Sequence, residues 1–357
     1  MNLQGLAGER AAYDRHVAGR SIGYLDTDVW ICLTFQKGPA ARRCRALAER
    51  AVRERRVIFP LSYASCSELV QQVPGESRAA RIRLMQQLSE GIAFRDLSTI
   101  LKIEAEAALP IALGEEPTPP DLSRMFAGVF ECFSDAVDLL SGIEEIGRNP
   151  RFVSWLRTTG RLMSLDDYVR AFDSLGEFAT SEHFFEERAH ILRDSIREAA
   201  DACRNGDGSV NRRKAFLQEA LSCFRTISPI LVGVLREQRP EAAATFGARA
   251  RGNPGNLKRL RQLFEAMPSA GNRVDLFVGR VMNAARRHKG RNDFWDVEHA
   301  MVPGAYADAW VTLDQGLARL VRGCDTPRRQ SVRIISDIEG LSSWLSDTIA
   351  KKAATAA

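Results

Sequence analysis

Residues 291–317, RNDFWDVEHAMVPGAYADAWVTLDQGL, set Asp293, Asp296, Asp308 and Asp314 around one apolar run, with His299 among them. The run, Ala309-Trp310-Val311, reads as a buried strand. Carboxylates gathered about such a strand have two chemistries open to them. They accept backbone N–H groups in turns and helix caps, or some of them converge on a hard divalent cation. The same association occurs near the other end of the chain, where SIGYLDTDVW runs from apolar residues into Asp26 and Asp28.

The elements that position these acids decide which of them can meet. In open parallel sheets, ligands bind beyond the carboxyl ends of the strands. Asp26 ends the strand read at 22–26, and Asp314 directly follows the strand AWVTL. If the two strands are neighbours, both carboxylates face one crevice. Glu68 falls within YASCSELVQQV (63–73), the helix after the strand VIFPLS (57–62), which Ser62 is placed to cap. Asp296 lies near the start of the helix DFWDVEHAMV. Asp308 fails the test, because it opens the strand whose far end carries Asp314. Six residues at about 3.3 Å each put the two about 20 Å apart, so Asp308 reads as a strand-entry residue.

The rest of the chain supplies the frame. GPAARRCRALAERAVRERR (38–56) has apolar residues at helical spacing and an arginine-rich outer face. Residues 78–89 read as a helix and GIAFRD (91–96) as a third strand. Asp96 or Ser98 then caps STILKIEAEAAL (98–109). This alternation predicts a parallel sheet with helices on both faces. PIALGEEPTPPDLSR (110–124) reads as a proline-rich linker, and 124–285 as amphipathic helices almost throughout, beginning with RMFAGVFECFSDAVDLLSGI. Alternation returns with DFWDVEHAMV, AWVTL, DQGLARLVRG and a last strand, SVRIISD (331–337). The expected architecture is therefore α/β. One core forms from 20–110 plus 285–345, a helical insertion fills 124–285, and 1–19 and 346–357 are extensions. Such an insertion is tolerable because loop closure costs only about 0.6 kcal/mol per doubling of length.

Composition limits the function. An apolar share of 45% excludes a disordered chain. No apolar run approaches the roughly 18 residues of a membrane span, and the N-terminus lacks the apolar stretch of a secretory signal. A cytoplasmic protein is expected. Seven scattered cysteines without a CxxC pair argue against a zinc ribbon and read as buried thiols. The net charge of +5 permits a nucleic-acid partner without requiring one. Phosphate loops, GxGxxG, Gly-x-Ser-x-Gly and HExxH are all absent.

Four segments in order, YLDTDVW, SYASCSELV, DFWDVEHAM and AWVTLDQGL, resemble the acidic motifs of the PIN-domain nuclease family. The resemblance covers roughly 20–110 and 285–345 and implies a PIN-like three-layer core. Carried over by position, it makes Asp26, Glu68, Asp296 and Asp314 the catalytic and metal-binding residues, with Mg²⁺ or Mn²⁺ as cofactor. The charge logic agrees: bare carboxylates repel a phosphodiester, whereas with divalent metal they form a hard-oxygen site. Thr312 is placed to orient a carboxylate from behind, and Asp28 and Asp293 are spare acids. Glu104 is a further candidate, against the plainer reading of an exposed helix glutamate. His299 reads as a structural histidine. Arg286, Arg287, Lys289 and Arg291, just before the acidic motif, are candidates for the nucleic-acid backbone. The implied activity is a metal-dependent endonuclease, with single-stranded RNA favoured over DNA, in a toxin–antitoxin, defence or processing role. An inhibitory or targeting partner would dock on the insertion, and oligomerisation stays open. The competing class is an inactive PIN-like scaffold binding RNA or protein.

Overall fold

The computed structural model describes residues 14–113, 115–133, 164–174, 182–240, 257–283, 291–323 and 332–355. The first part of the chain gives β1 (Ser21–Leu25), α1 (Thr27–Phe35), α2 (Gly38–Arg53), β2 (Val57–Ile58), α3 (Tyr63–Val70), α4 (Glu76–Ser89), β3 (Ile92–Phe94), α5 (Leu97–Leu113) and β4 (Phe126–Gly128). Five described helices follow: α6 (Leu165–Ser174), α7 (Glu182–Ala202), α8 (Arg212–Gln238), α9 (Leu257–Ala266) and α10 (Pro268–Met282). The last part holds α11 (Arg291–Met301), α12 (Pro303–Tyr306), β5 (Ala309–Val311), α13 (Gln315–Arg322), β6 (Arg333–Ile335) and α14 (Ile338–Thr355).

The fold is mixed α/β. Its parallel four-stranded sheet runs β2-β1-β5-β6, so strands from both ends of the chain are neighbours. Tyr24 stands opposite Trp310, and Trp310 opposite Ile334. Beyond β2, a parallel bridge from Leu61 to Ala93 brings in β3, and β4 pairs antiparallel with β3. Side chains of a strand alternate in direction, and β1 follows that rule. Leu25 enters an apolar cluster with Leu33, Leu69, Leu88 and Leu341, from α1, α3, α4 and α14. Ile22 and Tyr24 enter another with Ile100, Ala300 and Leu317, from α5, α11 and α13.

A separate apolar cluster lies among the later helices. Ile196 of α7, Leu231 and Leu235 of α8, Leu260 of α9 and Val274 of α10 pack there. Helix α5 serves both clusters, because its residues repeat on two faces. Ile100 and Ile103 face the sheet side, and Ala105, Ala108 and Leu109 face the helices. The run ISPILVGVL on α8 is buried through Ile227, Leu231, Val234 and Leu235.

Two expectations need correction. RMFAGVFECF does not begin a helix: Phe126–Gly128 is strand and Val129–Phe133 a 3₁₀ turn. Periodicity cannot separate a short apolar strand from a buried helix, and here Phe126 packs against Phe94 of the paired strand, with ring centroids 4.9 Å apart. Helix α5 does not stop at 109 but continues through Pro110 to Leu113. Proline lacks the N–H that would serve the Glu106 carbonyl, and the chain beyond the helix returns to it through the N–H of Thr118, which the Ala107 carbonyl accepts at 3.2 Å. Helix α6 packs on α3 and α4 beside the first apolar cluster, through Leu165, Tyr168 and Val169. The cysteine reading holds for the six described residues, all free thiols, with Cys32 half-buried and the rest buried.

Candidate metal centre

Helix-capping chemistry brings the first acid into place. β1 ends at Leu25, and the Asp26 N–H extends its ladder to the Val311 carbonyl at 2.9 Å. Asp26 then caps α1, its Oδ1 accepting the Thr27 N–H at 2.7 Å. Its other oxygen, Oδ2, accepts the Thr312 hydroxyl at 2.7 Å. Thr312 is fully buried at the end of β5, so two adjacent parallel strands fix this carboxylate.

Glu68 arrives on α3. Ser62 caps that helix as expected, accepting the Ser65 N–H at 3.2 Å. The Glu68 side chain, one-fifth exposed, takes the Thr27 hydroxyl and lies 2.8 Å from His299 Nε2. His299 also stands 3.5 Å from Asp26 Oδ1. Its Nδ1 contacts the Tyr24 hydroxyl, which in turn lies 2.7 Å from Ser62 Oγ and 3.0 Å from Ser65 Oγ. Tyr24 thereby ties β1, α3 and α11 together behind the acids. One ligating atom from each of Asp26, Glu68 and His299 lies within 4.8 Å of the other two.

The electrostatics follow from this crowding. Burial pushes the Asp28 carboxyl above its usual range, and Asp26, Glu68 and Asp314 push it further. Asp28 is exposed and so marks the side on which the cluster meets solvent. Burial disfavours the His299 imidazolium, but Tyr24, Asp26 and Glu68 more than offset this and raise its pKa well above the ordinary histidine value. Burial likewise raises the Tyr24 phenol.

The remaining expected residues fall in several places. The Asp314 N–H donates to Thr312 Oγ1 at 3.1 Å, so the Asp314 backbone and the Asp26 carboxylate share one hydroxyl. Asp314 Oδ1 caps α13 through the N–H groups of Gly316 and Leu317, at 2.6 and 2.9 Å. Asp296 shares a face of α11 with His299 but turns to Arg280 of α10, whose Nη2 is 3.3 Å from its Oδ2. Neither Asp296 nor Asp314 belongs to the 4.8 Å group.

Glu104 is fully buried rather than exposed, because it lies on the face of α5 covered by α10 and α12. It accepts the Ser269 N–H at 2.7 Å and the Tyr306 hydroxyl. Asp308 behaves as a strand-entry residue, accepting the Ile22 N–H at 2.7 Å. The side chains of Asp293 and Arg291, and the whole of Arg286, Arg287 and Lys289, lie outside the described residues.

His299, read from the sequence as a structural histidine, is indeed buried and hydrogen-bonded to Tyr24 and Glu68, and its reach to Asp26 also places it in the group that could hold a metal. The available signal was its position three residues after Asp296, one helical turn along the same face. No family model, curated protein or solved structure matches this chain. The chemistry of the site therefore has to be argued from its own geometry.

The donor set suits a divalent cation. Donors on opposite sides of one ion stand about 4 Å apart when metal–oxygen bonds are 2.0–2.1 Å. Glu68 Oε2 and Asp26 Oδ1 already stand 2.8 and 3.5 Å from His299 Nε2, and an ion among them would take the place of the His299–Glu68 hydrogen bond. Two carboxylates suit Mg²⁺ or Mn²⁺, and the imidazole shifts the preference toward Mn²⁺.

Proposed function

We propose that this chain is a divalent-metal-dependent phosphodiesterase acting on nucleic acid, with single-stranded RNA as the favoured substrate. The observation that carries the reading is the convergence of Asp26, Glu68 and His299 beyond the carboxyl ends of parallel strands. The order of the acidic segments supports it, and so does the alternation of β1 side chains between two apolar clusters, as a PIN-like three-layer core requires.

Asp26 and Glu68 would hold Mn²⁺ or Mg²⁺ together with His299. When bound, such an ion supplies Lewis-acid polarisation of a phosphoryl oxygen and acidification of water. The chain does the positioning. Thr312 orients Asp26, and Thr27 orients Glu68. Tyr24 fixes the imidazole plane of His299 from its far nitrogen. Exposed Asp28 and the capping Asp314 extend the negative field toward solvent, where a second ion or a water would be held. Asp296 anchors α11 to α10 through Arg280 and so sets the height of His299. The helical segment between the two halves of the sheet is where a targeting or inhibitory partner would bind, in a cytoplasmic toxin, defence or processing enzyme. No helix among the described residues is long and apolar enough to cross a membrane.

One observation favours a second reading. His299, with its raised pKa, stands where a cation would and can neutralise Asp26 and Glu68 without metal. The site would then be an internal network within a binding scaffold. Labelled single-stranded RNA, single-stranded DNA and duplexes incubated with Mn²⁺ or Mg²⁺ separate the two. Cleavage abolished by EDTA and by Asp26→Asn supports the enzyme, and intact substrates throughout support the scaffold.

A further inference from the structure

Helix α4 carries two buried arginines one turn apart, and they differ in one respect. Arg78 is fully engaged, donating to the Gln72 carbonyl at 3.0 Å and pairing with both oxygens of Asp173 on α6. Arg81 is equally buried, at 7% exposure, yet makes no hydrogen bond or ion pair with any described residue. Its Nε and Nη1 are sealed from solvent and unpartnered. Leaving a charged, buried donor unsatisfied costs more than a neutral hydrogen bond contributes.

The charges that act on the Arg81 guanidinium identify what it faces. They are Glu68 and Asp28, from two elements of the metal centre, and both lie beyond ion-pair distance. Helix α4 packs against α1, which bears Asp28 in its first turn. The guanidinium is therefore near enough to feel the charge of both acids without pairing with either. A planar fork of N–H donors matches the oxygens of a phosphate. A divalent ion on Asp26 and Glu68 would remove the repulsion that the acids otherwise present to such a group.

We infer that Arg81 is a binding residue for the phosphate of the substrate backbone, gripping its non-bridging oxygens beside the ion held by Asp26 and Glu68. The inference rests on the metal-centre reading of the preceding section and adds the anion half of the site. Nη2, the guanidinium nitrogen that is not sealed, is the donor such a ligand meets.

The test measures metal and phosphate separately on the full chain. Calorimetric titration with Mg²⁺ comes first, on wild type, Arg81→Met and Arg81→Lys. Inorganic phosphate is then titrated into each Mg²⁺-saturated protein, and a single-stranded decaribonucleotide into each Ca²⁺-saturated one. Arg81→Met should weaken both phosphate probes at least tenfold. Arg81→Lys, which keeps a cation but not the fork, should fall between and decides the matter if the methionine variant does not fold. Mg²⁺ affinity should be retained or tightened in Arg81→Met, because a cation near the carboxylates has been removed.

A merely structural counter-cation would move metal affinity alone, and unchanged phosphate binding overturns the inference while leaving the metal centre standing. Loss confined to inorganic phosphate, with the oligonucleotide unaffected, overturns it as a substrate contact. Absence of Mg²⁺ binding in wild type removes the metal-centre reading itself, and the inference with it.

Discussion

Replacing Glu104 by glutamine should change how stability depends on pH. Glu104 is fully buried between α5, α10 and α12, and burial pushes its carboxyl up to about 7, although hydrogen bonds from Tyr306 and Ser269 pull the other way. An acid with a raised folded pKa favours the protonated fold, so the folded state binds more protons than the unfolded state between the two pKa values. Stability is then full at low pH and lost as pH rises from about 4.5 toward about 7. The shift corresponds to about 3 kcal/mol at 1.36 kcal/mol per unit. Glutamine keeps the acceptor for Ser269 and Tyr306 and cannot ionise. Glu104 Oε2 accepts no hydrogen bond from the described residues, so an amide placed there carries a fixed penalty of roughly 1–3 kcal/mol. That penalty does not vary with pH, and the slope is therefore the diagnostic. Urea unfolding of both proteins at half-unit steps from pH 4 to pH 8.5 should show the variant gaining on wild type by about 3 kcal/mol across the range. Parallel curves would refute the assignment of a buried, proton-retaining Glu104.

Glu219, also pushed up to about 7 by burial with Arg273 opposing, should behave alike: Glu219→Gln removes a further part of the decline with rising pH in the same titration. Thr312→Val deletes the hydroxyl that orients Asp26 and should weaken Mn²⁺ binding by about 10–100-fold while leaving the far-ultraviolet spectrum unchanged. Asp314→Asn should preserve the α13 cap and abolish cleavage, whereas Asp314→Ala should in addition lower stability by about 1 kcal/mol in urea unfolding. Gly23→Ala would set a methyl 2.6 Å from Phe59 Cε1 and 3.0 Å from Trp344, and the overpacking of β1 should cost about 1–3 kcal/mol by the same measurement.

Some of this molecule was legible from its residues. Asp26 was singled out because a short apolar run followed by an acid marks a strand end, and strand ends in parallel sheets converge; Glu68, inside a helix, was singled out only by the resemblance of its segment. Thr312 was found by its spacing from Asp314. His299 was weighed only as a structural residue, because its partners Tyr24 and Glu68 are 275 and 231 residues away in the chain. Arg81 was hidden for a similar reason: α4 is rich in arginine, and only packing against α1 and α6 separates a solvated face from a buried one. Strand β4 was missed because Phe-Ala-Gly within an apolar stretch fits either period. Glu104 looked exposed because the helices that cover it come from more than 150 residues further along the chain.

The most direct test of the metal centre is electron paramagnetic resonance of Mn²⁺ added to the full chain, with wild type, Asp26→Asn and His299→Gln compared. A centre built from Asp26, Glu68 and His299 gives stoichiometric binding with nitrogen modulation from the imidazole. Asp26→Asn should then lose most of the binding, and His299→Gln should lose the nitrogen signal. Wild-type protein that leaves Mn²⁺ free in solution, or binding that Asp26→Asn does not weaken, would contradict it.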